Sequence, residues 1–428
     1  MPTRRELAEQ VDDALLAHAP VDALRGLVSL VRSAPHDFES RLRIGDALAA
    51  LGRLPQAAQV FALVLSESSA AGHPLLAIVA LKALEALDPA ARSLLPSFAT
   101  RYAAGSAALG RAVRLGRPDP SAPVPPEAWV PVAWSDAQVC DAAAALAASR
   151  EGLPAWPEVV PAIPLLSELP PEAFANVLGS VGRRSLATGE TVVCEGDPGD
   201  AFFLLARGRV RVTRAGASLA TLEEGSIFGE MALLSAAPRA ATVTATEPSD
   251  VLIFGRDALT AAAQGLPVIA AALERFMRQR LVNRLLDTHP MFEPFDAGQR
   301  VQLGSRFEAV AVAAGQVLLR EGEPGSGLHV VLHGSVSVTR ETPHGPATLA
   351  ELGPAEVFGE ISLLEGVPVT ATVTASVGSM VLVLPSQVFL RLVEGVPGWR
   401  RYFEELAEDR RMDQRLSSPP APAASGWY

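Results

Sequence analysis

The sequence predicts a multidomain α+β protein, in which a helical N-terminal region precedes two copies of a small antiparallel β roll with flanking helices. Residues 1 to about 112 are rich in Ala and Leu at helical spacing, with breaks near Pro35, Pro74 and Pro89. Further along, short apolar runs alternate with glycine turns, as is typical of an antiparallel roll. An internal repeat doubles this pattern. Six residues recur 126 positions later, namely Gly189, Glu195, Gly196, Pro198, Gly199 and Gly208, at Gly315, Glu321, Gly322, Pro324, Gly325 and Gly334.

The helical region is predicted to cover residues 1–116. Within it, a set of small and large side chains resembles the register of one tetratricopeptide (TPR) hairpin, namely Ile44, Gly45, Leu48, Gly52, Ala57 and Phe61. The resemblance covers one repeat and lacks the terminal proline, whereas such arrays generally need about three repeats. A partner-binding, TPR-like array and a plain helical bundle both remain open.

Residues 117–164 are predicted to form a Pro-rich, extended linker. Prolines and tryptophans are frequent here, at Pro118, Pro120, Pro123, Pro125, Pro126, Trp129, Pro131 and Trp134. Helical spacing between Ser135 and Arg150 predicts one helix inside the linker.

The first β domain, domain A, is predicted over residues 165–288, with strands at runs such as 191–193, 202–205 and 251–254. Within it, residues 228–243 combine the chemical groups that hold a small anion. Gly229 opens a turn into a helix, where backbone N–H groups without intrahelical partners attract a phosphate-sized group. Arg239 can meet two phosphate oxygens at once. Glu230 only accepts hydrogen bonds, so a hydroxyl pair such as a ribose edge is its natural partner. A nucleotide monophosphate carries both kinds of group.

This stretch resembles the phosphate-binding cassette of cyclic-nucleotide-binding domains, as found in protein kinase A regulatory subunits. The resemblance implies a jelly-roll barrel with helices at each end, in which Glu230 takes the ribose 2′-hydroxyl and Arg239 takes the exocyclic phosphate oxygens. It also implies that backbone amides around the glycine and the small residues complete the cradle. The candidate ligand-binding residues are Phe228, Gly229, Glu230, Met231, Ala232, Arg239, Ala240 and Ala241.

A second β domain, domain B, is predicted over residues 289–416. Four extra residues relative to domain A fall around residues 342–346, where the pattern predicts a longer hairpin loop. The second cassette runs from Phe358 to Val373 and has Val369 in place of the arginine.

Losing the arginine predicts a degenerate second site, formed by Gly359, Glu360, Val369 and Thr370. Deleting one partner of a buried ion pair costs about 3–5 kcal/mol, which corresponds to about two to four decades in affinity. We therefore expect domain B to be kept for packing and coupling. Another arginine such as Arg320 or Arg340 could reach the site, but nothing in the spacing requires it.

Cyclic AMP is the ligand that the resemblance favours. Family members that prefer cyclic GMP often carry a hydroxyl residue directly after the arginine, and here that residue is Ala240. Cyclic GMP stays the alternative.

Each β domain is followed by a predicted helix. From Pro267 onward, an apolar stripe predicts an amphipathic helix of the kind that the family uses as a lid, with Ile269, Leu273, Met277, Leu281 and Leu285. We hypothesise that this helix is a lever between the two β domains, and an ordinary connector is the alternative. A second helix is predicted from Trp399 to Leu416, followed by a disordered tail at 417–428.

Charge and motif content argue against nucleic-acid binding and against catalysis. The formal net charge is −11, and a helix-turn-helix does not fit after Leu416. Lys82 is the only lysine, which excludes a phosphate-binding Gly-Lys-Ser/Thr loop. None of the seven histidines shows metal-ligand spacing, and His329 and His333 are expected in a loop or at the barrel surface. We expect no enzyme activity, no metal and no cofactor.

From the sequence we expect neither a membrane span nor a signal peptide. No apolar run reaches eighteen residues, and the N-terminus lacks the apolar stretch of a signal peptide, so we expect a cytoplasmic protein without a membrane partner. Cys140 and Cys194 are expected to be buried free thiols.

Two functions from different classes follow. The first is a cyclic-nucleotide sensor that couples ligand binding in domain A to an unidentified protein partner, through the helical N-terminus or domain B. The alternative is a constitutive protein-interaction scaffold with vestigial pockets. Arg239 discriminates between them, because a vestigial pocket has no physical need for it.

Overall fold

The structure, a computed structural model, describes residues 1–110, 115–156, 158–230, 238–264, 266–342 and 345–417. The chain folds into two compact units, residues 1–273 and 274–428. The first unit holds the helical region and the first β barrel together, although the sequence predicted them as separate domains. The second unit holds the second barrel.

Eight helices of the first unit precede its barrel in the described residues, and prolines or polar caps start most of them. Thr3 and Glu6 form a capping box at the first helix, and Asp37 caps the third. Pro20 and Pro74 stand at first-turn positions, where no intrahelical N–H is needed. The helices are α1 (Arg4–Leu16), α2 (Pro20–Ser33), α3 (Phe38–Ala50), α4 (Leu54–Ala70), α5 (Pro74–Leu87), α6 (Leu95–Tyr102), α7 (Asp136–Ala147) and α8 (Pro171–Ser180).

Helices α3 and α4 form the hairpin in which the TPR-like register was predicted. A Cβ at Gly45 would lie 2.5 Å from the Phe61 ring, so the glycine allows the two helices to approach closely. Ile44, Leu48 and Ala57 are buried in the same hairpin. The small-against-large packing is present, and the classification as a TPR stays a prediction.

The segment predicted as an extended linker instead packs against the helical region. Its helix α7 buries Val139 and Ala143 against α2, α3 and α4. Arg41 of α3 donates three hydrogen bonds to carbonyl oxygens at the end of α7, which satisfies acceptors that the helix cannot satisfy itself. Trp156 donates to Glu67 of α4 at 2.8 Å. Proline content predicted an extended chain, but the apolar face of α7 and these hydrogen bonds hold the segment against the helical region.

The first barrel consists of two antiparallel four-stranded sheets with the orders β1-β8-β3-β6 and β2-β7-β4-β5. Side chains from both sheets meet in one core, including Phe203, Val210, Phe228 and Val243. The strands are β1 (Gly182–Leu186), β2 (Thr191–Val193), β3 (Ala201–Arg207), β4 (Val210–Arg214), β5 (Ala217–Leu222), β6 (Ile227–Phe228), β7 (Thr242–Ala245) and β8 (Ser249–Gly255).

The second barrel repeats this topology, with the orders β9-β16-β11-β14 and β10-β15-β12-β13. The predicted fold class, helices followed by two jelly-roll domains with flanking helices, is confirmed. The strands are β9 (Glu308–Val312), β10 (Val317–Leu319), β11 (Gly327–His333), β12 (Val336–Thr342), β13 (Gly345–Leu352), β14 (Val357–Phe358), β15 (Thr372–Ala375) and β16 (Ser379–Pro385).

The four extra residues of domain B lengthen strands rather than a loop. Strands β12 and β13 contain 7 and 8 residues, against 5 and 6 in β4 and β5. Thr342 pairs with Gly345 across the hairpin end, so the prediction of a longer loop was wrong. Two further cross-strand pairs absorb the insertion because an antiparallel hairpin can extend without disturbing the register behind it.

The remaining helices among the described residues are α9 (Arg256–Ala263), α10 (Pro267–Thr288), α11 (Ala297–Gly304), α12 (Glu360–Glu365), α13 (Ser386–Gly395) and α14 (Pro397–Ser417). Helix α10 begins at Pro267 as predicted, and α14 covers the second predicted helix and extends to Ser417. Within the second unit, Trp399 of α14 is fully buried, and its ring packs against Phe389 and Phe403. Residues 418–428 of the predicted tail lie outside the described residues.

The two cysteines differ in exposure. Cys140 is buried in α7, whereas Cys194 is exposed. The prediction was therefore wrong for Cys194, which directly follows the three-residue strand β2.

Candidate functional site

Backbone hydrogen bonds fix both the N–H and the carbonyl of Arg239 in the first barrel. Its N–H donates to the carbonyl of Asp197 at 2.8 Å, and its own carbonyl accepts from the N–H of Gly196 at 2.9 Å. A further hydrogen bond joins the same two segments, since the N–H of Glu195 donates to the hydroxyl of Thr242 at 3.0 Å. The glycine-rich turn before β3 therefore holds the residue that carries the guanidinium.

The Arg239 side chain turns inward and is 9% exposed. Its Nη1 donates to the carbonyl oxygens of Ala201 and Gly229, both at 2.8 Å. The guanidinium carbon lies 5.5 Å from the centre of the Phe203 ring, within reach of a cation–π interaction. Burial lowers the pKa of Arg239, and Asp200, Asp197 and Glu230 oppose that shift. The charges of three acidic side chains thus favour the charged form of the buried guanidinium.

Gly229 is required at this place by its backbone and by space. Its φ is +77°, and a Cβ there would lie 2.7 Å from Nη1 of Arg239 and 3.2 Å from the Phe203 ring. Phe228 precedes it and stacks on Phe203 with 5.2 Å between ring centres. Any side chain at position 229 would displace the cation.

The structure describes six of the eight residues predicted for this site. Phe228, Gly229 and Arg239 meet around the Phe203 ring, and the half-buried Glu230 follows Gly229 directly. Ala240 is exposed and Ala241 half-buried, both directly after Arg239. Met231 and Ala232 lie outside the described residues. Two contributors escaped the sequence reasoning, namely the Phe203 ring and the Ala201 carbonyl, because neither belongs to the cassette motif.

Val369 occupies the matching backbone position in the second barrel. Its N–H donates to the Glu323 carbonyl at 2.8 Å, and its carbonyl accepts from Gly322 at 2.8 Å, so the two hydrogen bonds of Arg239 are reproduced. The Val369 side chain is 5% exposed and belongs to the barrel core. Gly359 keeps a φ of +89°. The turn at Gly359 is therefore retained, although no arginine stands at position 369.

Glu360 is 1% exposed and is paired with a residue that the sequence reasoning missed. Nη1 of Arg410, in helix α14, donates to Oε1 of Glu360 at 2.7 Å. The two residues line a cavity of about 260 Å³, together with Val369 and Thr370. Arg340, one of the alternatives considered above, donates to the Thr370 carbonyl at 3.1 Å. No pattern in the charged sequence of α14 singles out Arg410.

His329 is buried, so the prediction of a surface position was wrong. It is 3% exposed, and its ring stacks on Phe358 with 4.8 Å between centres. Burial lowers its pKa to about 4, which a backbone hydrogen bond at Gly327 partly opposes. Its neighbours in β11 alternate between the two barrel faces, but every one except His333 is buried, so alternation could not identify the exposed face.

A second polar cluster joins the helical region to the first barrel. The fully buried Asp250 accepts from Nε of Arg183 at 2.9 Å and from Nε of Arg207 at 2.8 Å. Nη2 of Arg183 also donates to Asp46 of α3 at 3.0 Å. The pKa of Asp250 is lowered to about 2: the charges of the two arginines and hydrogen bonds outweigh the opposing effect of burial. We call these four residues the helix–barrel joint.

No group of metal-ligating side chains is found in the described part of the chain. Across the same ranges, no helix has the length and apolar character needed to cross a bilayer.

A family model, the cyclic nucleotide-binding domain, matches residues 183–265 and 309–395. The two barrels described above are therefore two tandem cyclic-nucleotide-binding domains. The chain is also homologous to regulatory subunits of cAMP-dependent protein kinase. It is 31% identical over 229 residues to the one from Yarrowia lipolytica, covering 54% of this chain and 58% of that protein. With the one from Dictyostelium discoideum it shares 32% over 214 residues, covering 48% and 63%.

A solved structure, the regulatory domain of Toxoplasma gondii PKA co-crystallised with cAMP, is 25% identical to this chain. The match covers 57% of this chain and 92% of the other, with a TM-score of 0.28. The chain spans about 60% of the length of the two curated relatives. The fold assignment here therefore depends on the strands and register of this chain and on the family match.

Proposed function

We propose that the chain is a cyclic-nucleotide sensor in which domain A binds cyclic AMP and domain B binds no cyclic nucleotide. One observation carries the proposal. Domain A buries Arg239 beside the Gly229 turn and next to Glu230, whereas domain B has the apolar Val369 at the same backbone position. A guanidinium held in a site that also carries a carboxylate suits a ligand with one phosphate and a ribose edge.

Within this proposal, neither domain performs catalysis, and the output is a change in contacts with a protein partner. The homologues are regulatory subunits of a protein kinase, so a protein kinase is the partner class that we propose. The helical N-terminus and domain B are the two candidate surfaces.

The coupling route that we propose runs along β3. Its first residue, Ala201, accepts from Arg239, and its last residue, Arg207, belongs to the helix–barrel joint. A ligand that pulls on Arg239 therefore acts on a strand whose other end is anchored at the helical region. Ligand-dependent hydrogen exchange in α3 supports this route if Asp46→Ala abolishes it and Asp141→Ala does not. Asp141 pairs with Arg53 on the surface of the helical region, which makes it a matched control.

The decisive experiment is isothermal titration of the full chain with cyclic AMP and with cyclic GMP. We expect micromolar or tighter binding of one cyclic AMP, and a loss of about two to four decades in Arg239→Ala. Arg209→Ala is the control, because Arg209 forms an exposed pair with Glu223 in the same barrel. Absence of binding to the wild-type chain would favour the constitutive scaffold.

A further inference from the structure

We propose that Phe203 is a positioning residue for Arg239, and that domain B has lost its phosphate site at two positions, His329 and Val369. The inference rests on the proposed function of domain A. It adds a residue outside the cassette and a requirement for restoring the second site.

Phe203 presents a ring face to the cation. The guanidinium carbon of Arg239 lies 5.5 Å from the ring centre, and Phe203 is itself only 7% exposed. Phe228 stacks on the ring of Phe203, at 5.2 Å between centres. A cation over a desolvated aromatic face is attracted by the ring quadrupole. The ring therefore attracts the guanidinium to its face, while the Ala201 and Gly229 carbonyls accept hydrogen bonds from one of its nitrogens.

The two barrels can be compared at this site position by position. Phe203 pairs with Phe228 across β3 and β6, and His329 pairs with Phe358 across β11 and β14. His329 thus occupies the position of Phe203, with its ring stacked on the equivalent phenylalanine. The backbones at Arg239 and Val369 make the same two hydrogen bonds. Hence both the cation and the ring below it differ in domain B.

The two differences are chemically linked. The imidazole of His329 lies against the glycine turn, because a Cβ at Gly359 would lie 3.3 Å from its Nδ1. An arginine returned to position 369 would meet an imidazole instead of a phenyl face. The imidazole is a weaker partner for a cation when neutral and repels it when protonated. A histidine is compatible with Val369 because no cation at position 369 needs an aromatic face.

Cyclic AMP titrations of the full chain test the role of Phe203. In Phe203→Leu we expect about threefold to thirtyfold weaker binding, the range that a cation–π interaction represents. Phe203→Tyr keeps an aromatic face and should stay within about twofold of the wild type. Phe202→Leu is the matched control, because Phe202 stacks on Phe254 at 4.5 Å and faces away from Arg239. Equal losses in the Phe202 and Phe203 leucine variants would overturn the positioning role.

A ligand-free measurement separates this inference from the proposed function. Thermal unfolding of Phe203→Leu, Arg239→Ala and the double variant should show non-additive shifts in Tm, since each change removes the same contact. Additive shifts would overturn the contact even if the chain binds cyclic AMP. Non-additive shifts in a chain that binds no nucleotide would leave the contact standing and overturn only the sensor function.

A graft tests the two-position loss in domain B. In an Arg239→Ala background, domain A contributes little binding, so new affinity reports on domain B. We expect Val369→Arg with His329→Phe to bind cyclic AMP at least about fivefold tighter than Val369→Arg alone. Equal binding by the single and double variants would overturn the requirement for His329. No binding by either, in chains that unfold at the wild-type temperature, would show that these two positions do not account for the loss.

Discussion

The two barrels have the same strand topology, but they bury side chains of opposite charge near equivalent turns. Domain A buries the cation of Arg239 and leaves Glu230 half-buried. Domain B buries the carboxylate of Glu360 and brings the cation from Arg410, fifty positions further along the chain. The backbone hydrogen bonds at Arg239 are reproduced at Val369, and Gly229 and Gly359 both have positive φ. The absence of an arginine at position 369 therefore leaves the backbone of the site unchanged.

The outer faces of the barrels differ as well. Domain A places Arg183, Arg207 and Asp250 in the helix–barrel joint. The matching residues of domain B are Ala309, His333 and Met380, as the pairing of His333 with Met380 shows. Buried ions are tolerated where each has a partner in good geometry. In domain A that condition is met together with Asp46 of the helical region, so the ionic cluster marks the barrel that shares its unit with the helices.

The largest expected effect concerns the Glu360–Arg410 pair. In Arg410→Ala the carboxylate of Glu360, which is 1% exposed, is left without its cation. We expect the second unit to lose about 3 kcal/mol of unfolding free energy, the low end for breaking a buried pair, because Arg410 itself is partly exposed. Denaturant unfolding measures it.

Two variants control this prediction. Arg411→Ala removes a pair with Glu365 in which both side chains are more than one-third exposed, so it should cost less than about 1 kcal/mol. Glu360→Gln in the Arg410→Ala chain should recover much of the loss by removing the unpaired charge. An Arg410→Ala chain as stable as Arg411→Ala would show that the pair does not hold domain B together.

Acid should destabilise the first unit through Asp250. Asp250 has a pKa of about 2 in the folded chain, below its ordinary value of about 3.9. Because the folded pKa is depressed, the stabilisation is present above about pH 4 and is lost as the pH falls towards 2, by roughly 2 kcal/mol. The unfolding free energy of the first unit should decrease over this pH range, and the decrease should be smaller in Asp250→Asn. If the unfolding free energy of Asp250→Asn falls just as steeply with pH, other carboxylates cause the acid sensitivity.

The sequence predicted the two barrels, their tandem order and the cassette residues, because these depend on short-range patterns. Glycine turns, apolar runs and the offset of 126 residues are all visible in one chain. Three features depended on the packing of distant segments and were missed. Arg410 reaches Glu360 from a different helix, and Arg41 holds α7 of the predicted linker. His329 is buried because its strand is covered on both faces, which alternation of apolar residues could not reveal.

Alanine substitutions at the equivalent positions Gly229 and Gly359 compare the turns of the two barrels. In Gly229→Ala, a Cβ would lie 2.7 Å from Nη1 of Arg239, and positive φ adds roughly 1–2 kcal/mol of strain. The arginine can shift, so we expect about tenfold weaker cyclic AMP binding. In Gly359→Ala the Cβ would lie 2.7 Å from the Gly327 carbonyl, which is backbone and cannot move aside. That variant should lower the stability of the second unit without changing nucleotide affinity. A loss of binding in Gly359→Ala would contradict the assignment of the ligand to domain A.

The smallest effect concerns the residue after the arginine, where Ala240 in domain A corresponds to Thr370 in domain B. Ala240 is exposed, so an added hydroxyl fits without repacking. In Ala240→Thr we expect cyclic GMP affinity to rise about fivefold, the value of one net hydrogen bond of about 1 kcal/mol. Cyclic AMP affinity should stay within about twofold. Ala240→Val has the same shape without the hydroxyl and should leave the ratio of the two affinities unchanged. If valine shifts that ratio as far as threonine does, shape at position 240 rather than a hydroxyl contact sets the choice of base.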